Sequence, residues 1–214
     1  MYQAVIFDLD GTLLNTLSDL ANAGNYALVE LGLPIYDHEK YKQMLGYGKK
    51  KLIEEILPKG MELCNTVANQ LFDSYYMRHM LDETIIYQGI NELLKTLRDK
   101  QIKLAVLTNK PYIFATEMIE HYFPQMFDYI QGVDNDDITK PNPLNLLKII
   151  KEFDVMPINV LYVGDTDVDV LTGQNANVDT AGVLWGFRSK AELKAFSPTY
   201  LVENTDELET IIFK

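Results

Sequence analysis

Four short, almost wholly apolar runs constrain this fold more than any other feature of the chain: Ala4–Phe7, Leu104–Leu107, Val160–Val163 and Ala181–Leu184. A strand with one wet face alternates apolar and polar residues. These runs do not alternate, so both faces must be covered, as in a parallel sheet. Tyr129–Gln131 can supply a fifth strand. Helical stripes lie between the runs. Ile90, Leu93, Leu94 and Leu97 follow the i, i+3, i+4, i+7 spacing, and so do Leu146, Ile149, Ile150 and Phe153. Leu208, Ile211 and Ile212 begin a further stripe, with Asn204 and Glu207 spaced as a capping box. Strands alternating with helices specify an α/β fold built on a doubly wound parallel sheet.

Residues 16–85 interrupt that alternation and carry no strand signal. Leu17, Leu20, Ala21, Gly24, Leu28 and Leu31 mark a helix stopped by Gly32 and Pro34. A short helix is expected within Asp37–Leu45. Leu52, Ile53, Ile56 and Leu57 mark another, and Ala68, Leu71, Phe72 and Tyr75 one more. The stretch is too long for a loop and reads as an all-helical insertion. The expected division is an α/β core from 1–15 and 86–214, with 16–85 as a small helical domain able to close over the residues just before it.

The sequence carries 31 acidic and 19 basic residues, a net charge of −12. That argues against a nucleic acid or an anionic membrane as partner, since no basic surplus exists to neutralise phosphates. A small anionic substrate stays compatible, because a metal ion and a few local cations can reverse the field inside a pocket. The single cysteine, Cys64, fits a reducing compartment and reads as structural. With no run of about 18 apolar residues and no signal-peptide pattern, the expected location is the cytoplasm.

In a parallel sheet all strand carboxyl ends share one edge, where such folds bind ligands. Asp8 and Asp10 follow the first run, Thr108, Asn109 and Lys110 the second, and Gly164, Asp165, Thr166, Asp167 and Asp169 the third; Lys140 precedes a further helix. Crowded carboxylates do not all stay ionised unless a cation offsets them. Oxygen donors without His or Cys favour a hard ion, Mg²⁺ above Ca²⁺ or Zn²⁺. Lys140 as a point charge and Thr108 as a hydroxyl donor suit a phosphoryl group.

Taken in order, Asp8-Leu9-Asp10-Gly11-Thr12-Leu13, Thr108, Lys140 and Gly164-Asp165-Thr166-Asp167-Val168-Asp169 resemble the four motifs of the haloacid dehalogenase-like hydrolases. The resemblance spans the chain, with the helical insertion in the place of that superfamily's helical cap. It implies a Mg²⁺-dependent phosphatase. Asp8 would be the nucleophile, forming an aspartyl-phosphate, and Asp10 the acid and base. Mg²⁺ would be held by Asp8, Asp165 and the backbone carbonyl of Asp10, with Asp169 on the metal or its waters. Thr108, the Asn109 amide and Lys140 would hold the phosphoryl group. Aspartate at position 10 points to phosphate esters, since the dehalogenases carry tyrosine there and the phosphonate hydrolases alanine.

Thr108-Asn109-Lys110-Pro111 and the Gly-Val-Leu-Trp-Gly-Phe-Arg stretch at 182–188 look like the phosphoglycolate phosphatase group, with Asn15 as a departure from its usual aspartate. In the insertion, Gly46-Tyr47-Gly48-Lys49-Lys50-Lys51 opens a helix, and Gly46, Lys49 and Lys50 are candidate anchors for a substrate carboxylate. The expected partner is a small phosphorylated metabolite, and the expected state a monomer or homodimer. A β-phosphoglucomutase-like isomerase, a pyrophosphatase or nucleotidase, and a silent binding protein on the same scaffold are the alternatives.

Overall fold

A computed structural model describes residues 1–134 and 138–214. Six parallel strands form the central sheet: β1 (Ala4–Phe7), β4 (Lys103–Pro111), β5 (Tyr129–Val133), β6 (Val160–Gly164), β7 (Asp179–Val183) and β8 (Tyr200–Val202), in the spatial order β5-β4-β1-β6-β7-β8. After β1 the chain fills positions on one side of it, then returns to pair β6 on its other flank. The strand order therefore reverses at β1, and the crevice at its carboxyl end is where this topology binds ligands.

Period-two alternation divides β1 between two cores. Ala4 and Ile6 face a cluster with Leu107, Val160 and Tyr162, packed under Leu146, Ile149 and Ile150 of α7 (Leu144–Glu152). Val5 and Phe7 face the larger cluster, with Leu104, Val106, Leu161 and Val163. There α5 (Ile90–Asp99), α6 (Tyr112–Tyr122) and α10 (Thr205–Phe213) supply the cover. The remaining sheet-side helices are α8 (Asp167–Asn175) and α9 (Lys190–Ala195).

Between β2 (Leu14–Asn15) and β3 (Ile85–Ile86) lie four α-helices: α1 (Leu17–Glu30), α2 (His38–Met44), α3 (Lys49–Ile56) and α4 (Asn65–His79). β2 and β3 pair antiparallel, Leu14 with Ile86 and Asn15 with Ile85, so the chain leaves and re-enters the α/β part through a two-strand ribbon. Asp19 secures that junction. Its buried carboxylate accepts from the amides of Glu83 and Thr84 and from Thr84 Oγ1, all within 3.2 Å.

Several details differ from the sequence reading. β8, α9, α6 and α8 are additional elements, and β7 begins two residues before the run read as Ala181–Leu184. The α4 face turns inward through Ala68, Phe72 and Tyr76, so Tyr76 rather than Tyr75 is fully buried. Asn204 caps α10 by accepting from the Glu207 amide, but the Glu207 carboxylate accepts from the amide of Glu203 instead of Asn204. The box is thus completed one residue early.

Candidate active site

β1 ends at Phe7, and the Asp8 amide still bonds the Val163 carbonyl at 2.8 Å, which fixes Asp8 as the first residue past the strand. Its side chain is buried. Lys140 Nζ stands 2.8 Å from Asp8 Oδ1 and 2.6 Å from Asp169 Oδ1. Among the described residues that buried oxygen has the Lys140 ion pair as its polar neighbour and no other donor. Asp169, at the start of α8, is saturated. Oδ1 accepts from Lys140 and from Tyr162 Oη at 3.0 Å, and Oδ2 accepts from the Thr166 amide and hydroxyl.

Asp165 follows β6 and is completely buried. It accepts from Thr12 Oγ1 at 3.1 Å and from the Phe187 amide at 2.7 Å. Gly11, at φ +85, makes room for it: a Cβ there would lie 2.3 Å from Asp165 Oδ2. Asp8, Asp165 and Asp169 each offer one carboxylate oxygen within 4.8 Å of the others.

Three carboxylates and one ammonium in a buried site leave excess negative charge. Burial, together with Asp169 and Asp10, pushes the Asp8 carboxyl up to about 7, although Lys140 pulls the other way. Burial first, then Asp169 and Asp8, hold Asp165 well above the usual carboxylate range. For Lys140 burial disfavours the charge, but Asp169 and Asp8 outweigh it and raise its pKa. Three convergent all-oxygen donors and negative charge that one ammonium does not offset fit a hard divalent cation.

Thr108 and Asn109 lie within β4, which runs on to Pro111 beyond the apolar run read as Leu104–Leu107, and stand beside this cluster. The Asn109 side chain works as a strap. It accepts from the Lys140 amide at 2.8 Å and donates to the Lys140 carbonyl and to the Gly46 carbonyl, tying the lysine loop to the sheet and to the helical insertion. Asp10 stands apart from the three-acid cluster. Lys110 Nζ donates to both its carboxylate oxygens, at 2.9 and 3.2 Å.

Above these groups the helices partly roof a cavity of about 50 Å³. Its floor is Asp8, Asp10, Thr108, Asn109, Lys110 and Lys140, and its roof is largely apolar: Leu20, Leu45, Leu52, Phe72 and Phe114. Gly46 and Lys49 line it, whereas Lys50 lines a separate surface groove. The Lys49 ammonium lies 2.7–2.9 Å from both oxygens of Asp73 on α4. Gly46, at φ +106, lets the loop descend, since a Cβ there would meet Thr166 Cγ2 at 2.9 Å. The insertion is clasped from below as well. Arg188 donates to the carbonyls of Lys42, Gln43 and Leu45 at the end of α2, and Tyr47 Oη donates to Asp167 at 2.5 Å.

The sequence named Lys110 and Arg188 only as parts of motif stretches, with no role of their own, and gave no role to Tyr76 or Tyr162. Lys110 carried a signal, since it lies two residues past Thr108 on the same strand and so shares its general direction. Arg188 carried none beyond the motif stretch, and Tyr76 lay one residue off the helical stripe read through Tyr75.

A parallel α/β sheet with this acid cluster at the β1 switch point defines a family of hydrolases. The family model of the haloacid dehalogenase-like hydrolases matches residues 5–183, and the chain belongs to that family. It is 30% identical over 221 residues to the phosphoglycolate phosphatase of Psychrobacter arcticus, covering 99% of this chain and 96% of the relative. It is 31% identical over 224 residues to that of Haemophilus influenzae, covering 99% and 98%. A crystal structure from Lactobacillus delbrueckii subsp. bulgaricus superposes with a TM-score of 0.92 at 31% identity, over 99% of this chain and 98% of that one. A haloacid dehalogenase-like family protein of Streptococcus pneumoniae gives 0.88 at 25% identity, over 100% and 99%.

Proposed function

We propose that this chain is a Mg²⁺-dependent, cytoplasmic phosphatase for a small phosphorylated acid, phosphoglycolate or a close analogue, with residues 16–85 as a cap over a core formed by 1–15 and 86–214. The observation that carries the reading is Lys140 held between Asp8 and Asp169 beside Asp165, directly under a partly open cavity. Phosphoryl transfer asks for positioning and charge neutralisation, and this arrangement offers both. The names of the curated relatives support the ester class.

Asp8 attacks phosphorus: its carboxylate oxygen bonds to phosphorus as the ester P–O bond breaks, and Asp10 gives its proton to the departing oxygen. In the second half Asp10 takes a proton from water, the water oxygen bonds to phosphorus, and the bond to Asp8 breaks to release phosphate. Thr108 and the Asn109 amide orient the phosphoryl oxygens, and Lys140 offsets charge on Asp8 and on that group. When bound, Mg²⁺ held by Asp8, Asp165 and the Asp10 carbonyl supplies positive charge to the nucleophile and the phosphoryl oxygens. Saturation of Asp169 by four protein hydrogen bonds favours a role in holding Lys140 against Asp8.

Cavity size supports a small leaving group. The cavity is narrow at the acid cluster and lined there by Leu20, Leu45, Leu52 and Phe72, which suits a small leaving group better than a nucleoside. Ranking phosphoglycolate, glucose 1-phosphate, pyrophosphate and a nucleoside monophosphate by kcat/KM, with and without Mg²⁺, tests the reading. Preference for the two-carbon acid supports it. Conversion of β-glucose 1-phosphate to glucose 6-phosphate without free phosphate identifies the isomerase instead.

A further inference from the structure

Among the described residues, Lys110 is the one cation at the cavity floor besides Lys140, and the function above leaves it without a task. It is not a solvated lysine: its side chain is 2% exposed, less than the 18% of its partner Asp10. An ammonium buried to this degree is costly unless its three N–H groups are all satisfied. Two reach the oxygens of Asp10, and the third reaches Tyr76 Oη at 2.7 Å. Its nitrogen also lies 4.7 Å from the centre of the Tyr76 ring.

Tyr76 is itself fixed. Its hydroxyl donates to Met118 Sδ at 3.8 Å, its ring stacks on Phe72, and Phe114 meets it edge to face at 5.2 Å. Asp10 and Lys110 belong to the sheet edge, whereas Tyr76 belongs to α4 of the helical insertion. The chain Tyr76–Lys110–Asp10 is therefore complete only when α4 is seated over the sheet.

We propose that Lys110 is a positioning residue that aims the Asp10 carboxyl at the leaving oxygen, and that Tyr76 sets Lys110 when the helices close. This rests on the reading of Asp10 as the group that protonates the leaving oxygen. Closure over a bound ester would then orient the acid as well as exclude water, so that the acid is aimed only when substrate is enclosed. The Tyr76 hydroxyl accepts no proton from the substrate; it acts through Lys110.

The experiment compares two small esters that differ in their need for an acid. Acetate leaves acetyl phosphate without a proton, whereas ethoxide leaves ethyl phosphate only with one. kcat/KM reports the first phosphoryl transfer for both. The full chain with Mg²⁺ is assayed as wild type, Asp10→Asn, Lys110→Met and Tyr76→Phe. Asp10→Asn lowers ethyl phosphate far more than acetyl phosphate if Asp10 is the acid; equal losses overturn that reading and the proposal with it. Lys110→Met is expected to follow Asp10→Asn, losing about 100-fold on ethyl phosphate and much less on acetyl phosphate. Tyr76→Phe, which keeps the ring and its packing, shifts the ratio in the same direction by a smaller factor. If Asp10→Asn discriminates between the esters while Lys110→Met or Tyr76→Phe leaves the ratio at the wild-type value, the positioning role is wrong although the acid stands. Phosphoglycolate assayed alongside supplies a carboxylate-bearing ester: a loss in Lys110→Met seen only as a higher KM for it overturns the proposal too, in favour of a substrate anchor.

Discussion

Lys140 Nζ and Asp169 Oδ1 are 2.6 Å apart, with neither side chain more than 2% exposed. Tyr162 and Thr166 bond the same carboxylate, so Asp169 is an anchor that keeps the Lys140 ammonium against Asp8. Asp169→Ala removes the anchor and strands several buried donors. The expected result is a stability loss of about 2–3 kcal/mol in urea unfolding, together with a fall of about 100-fold or more in kcat. Full activity in a destabilised Asp169→Ala protein would show that Lys140 needs no such support.

Charge in the cluster gives a pH dependence with a definite sign. The Asp8 carboxyl is raised from an ordinary value of 3.8 to about 7, and Asp165 is raised as well. A carboxyl with a raised folded-state pKa binds its proton more tightly in the folded protein. Its contribution to stability is present below the unfolded value and is lost as pH rises toward 7 and beyond. Metal-free protein should therefore melt at a lower temperature at pH 8 than at pH 5.5. Added Mg²⁺ should raise the melting temperature more at pH 8, where the ligands are ionised. An equal rise at both pH values would exclude this cluster as the binding site.

Arg188 grips the carbonyls that α2 leaves unpaired at its end. Arg188→Ala is expected to cost about 2 kcal/mol or more, given three charge-assisted bonds. Amide exchange should quicken across α2 and the Gly46–Gly48 loop while β1 and β6 stay protected. Uniform acceleration through the sheet would mean that Arg188 supports the whole fold and not the closure of the helices.

Lys49 faces the cavity but is paired with Asp73, which weakens it as an anchor for a substrate carboxylate. Were it an anchor, Lys49→Met would raise KM for phosphoglycolate and spare ethyl phosphate. The same change for both esters would confine Lys49 to its contact with α4.

The sheet was legible because its central strands are covered on both faces and so are written in continuous apolar residues, as in Ala4–Phe7. The edge strand β8 is only three residues long and half exposed, and it left no such run. Helix α8 opens with Asp167-Val168-Asp169-Val170, an alternation that mimics a strand; the contact from Asp169 back to the Thr166 amide makes it a helix start. The acids and Lys140 could be found at the strand ends because topology brings those ends together. The Tyr76–Lys110–Asp10 chain could not, since it depends on how α4 settles on the sheet, and nothing local in Asn65–His79 encodes that contact.

The central claim is that Asp8 carries the phosphoryl group. In Asp10→Asn the proton transfers to the leaving oxygen and from water are both impaired, and acetyl phosphate bypasses the first. Acid quench of that variant with acetyl phosphate and Mg²⁺, followed by borohydride reduction and peptide mass spectrometry, reads the covalent state of Asp8 directly. The account predicts a labile phosphoryl adduct on Asp8, reduced to homoserine at that position. Steady release of phosphate with no modification at Asp8, or undiminished turnover in Asp8→Asn, would contradict it.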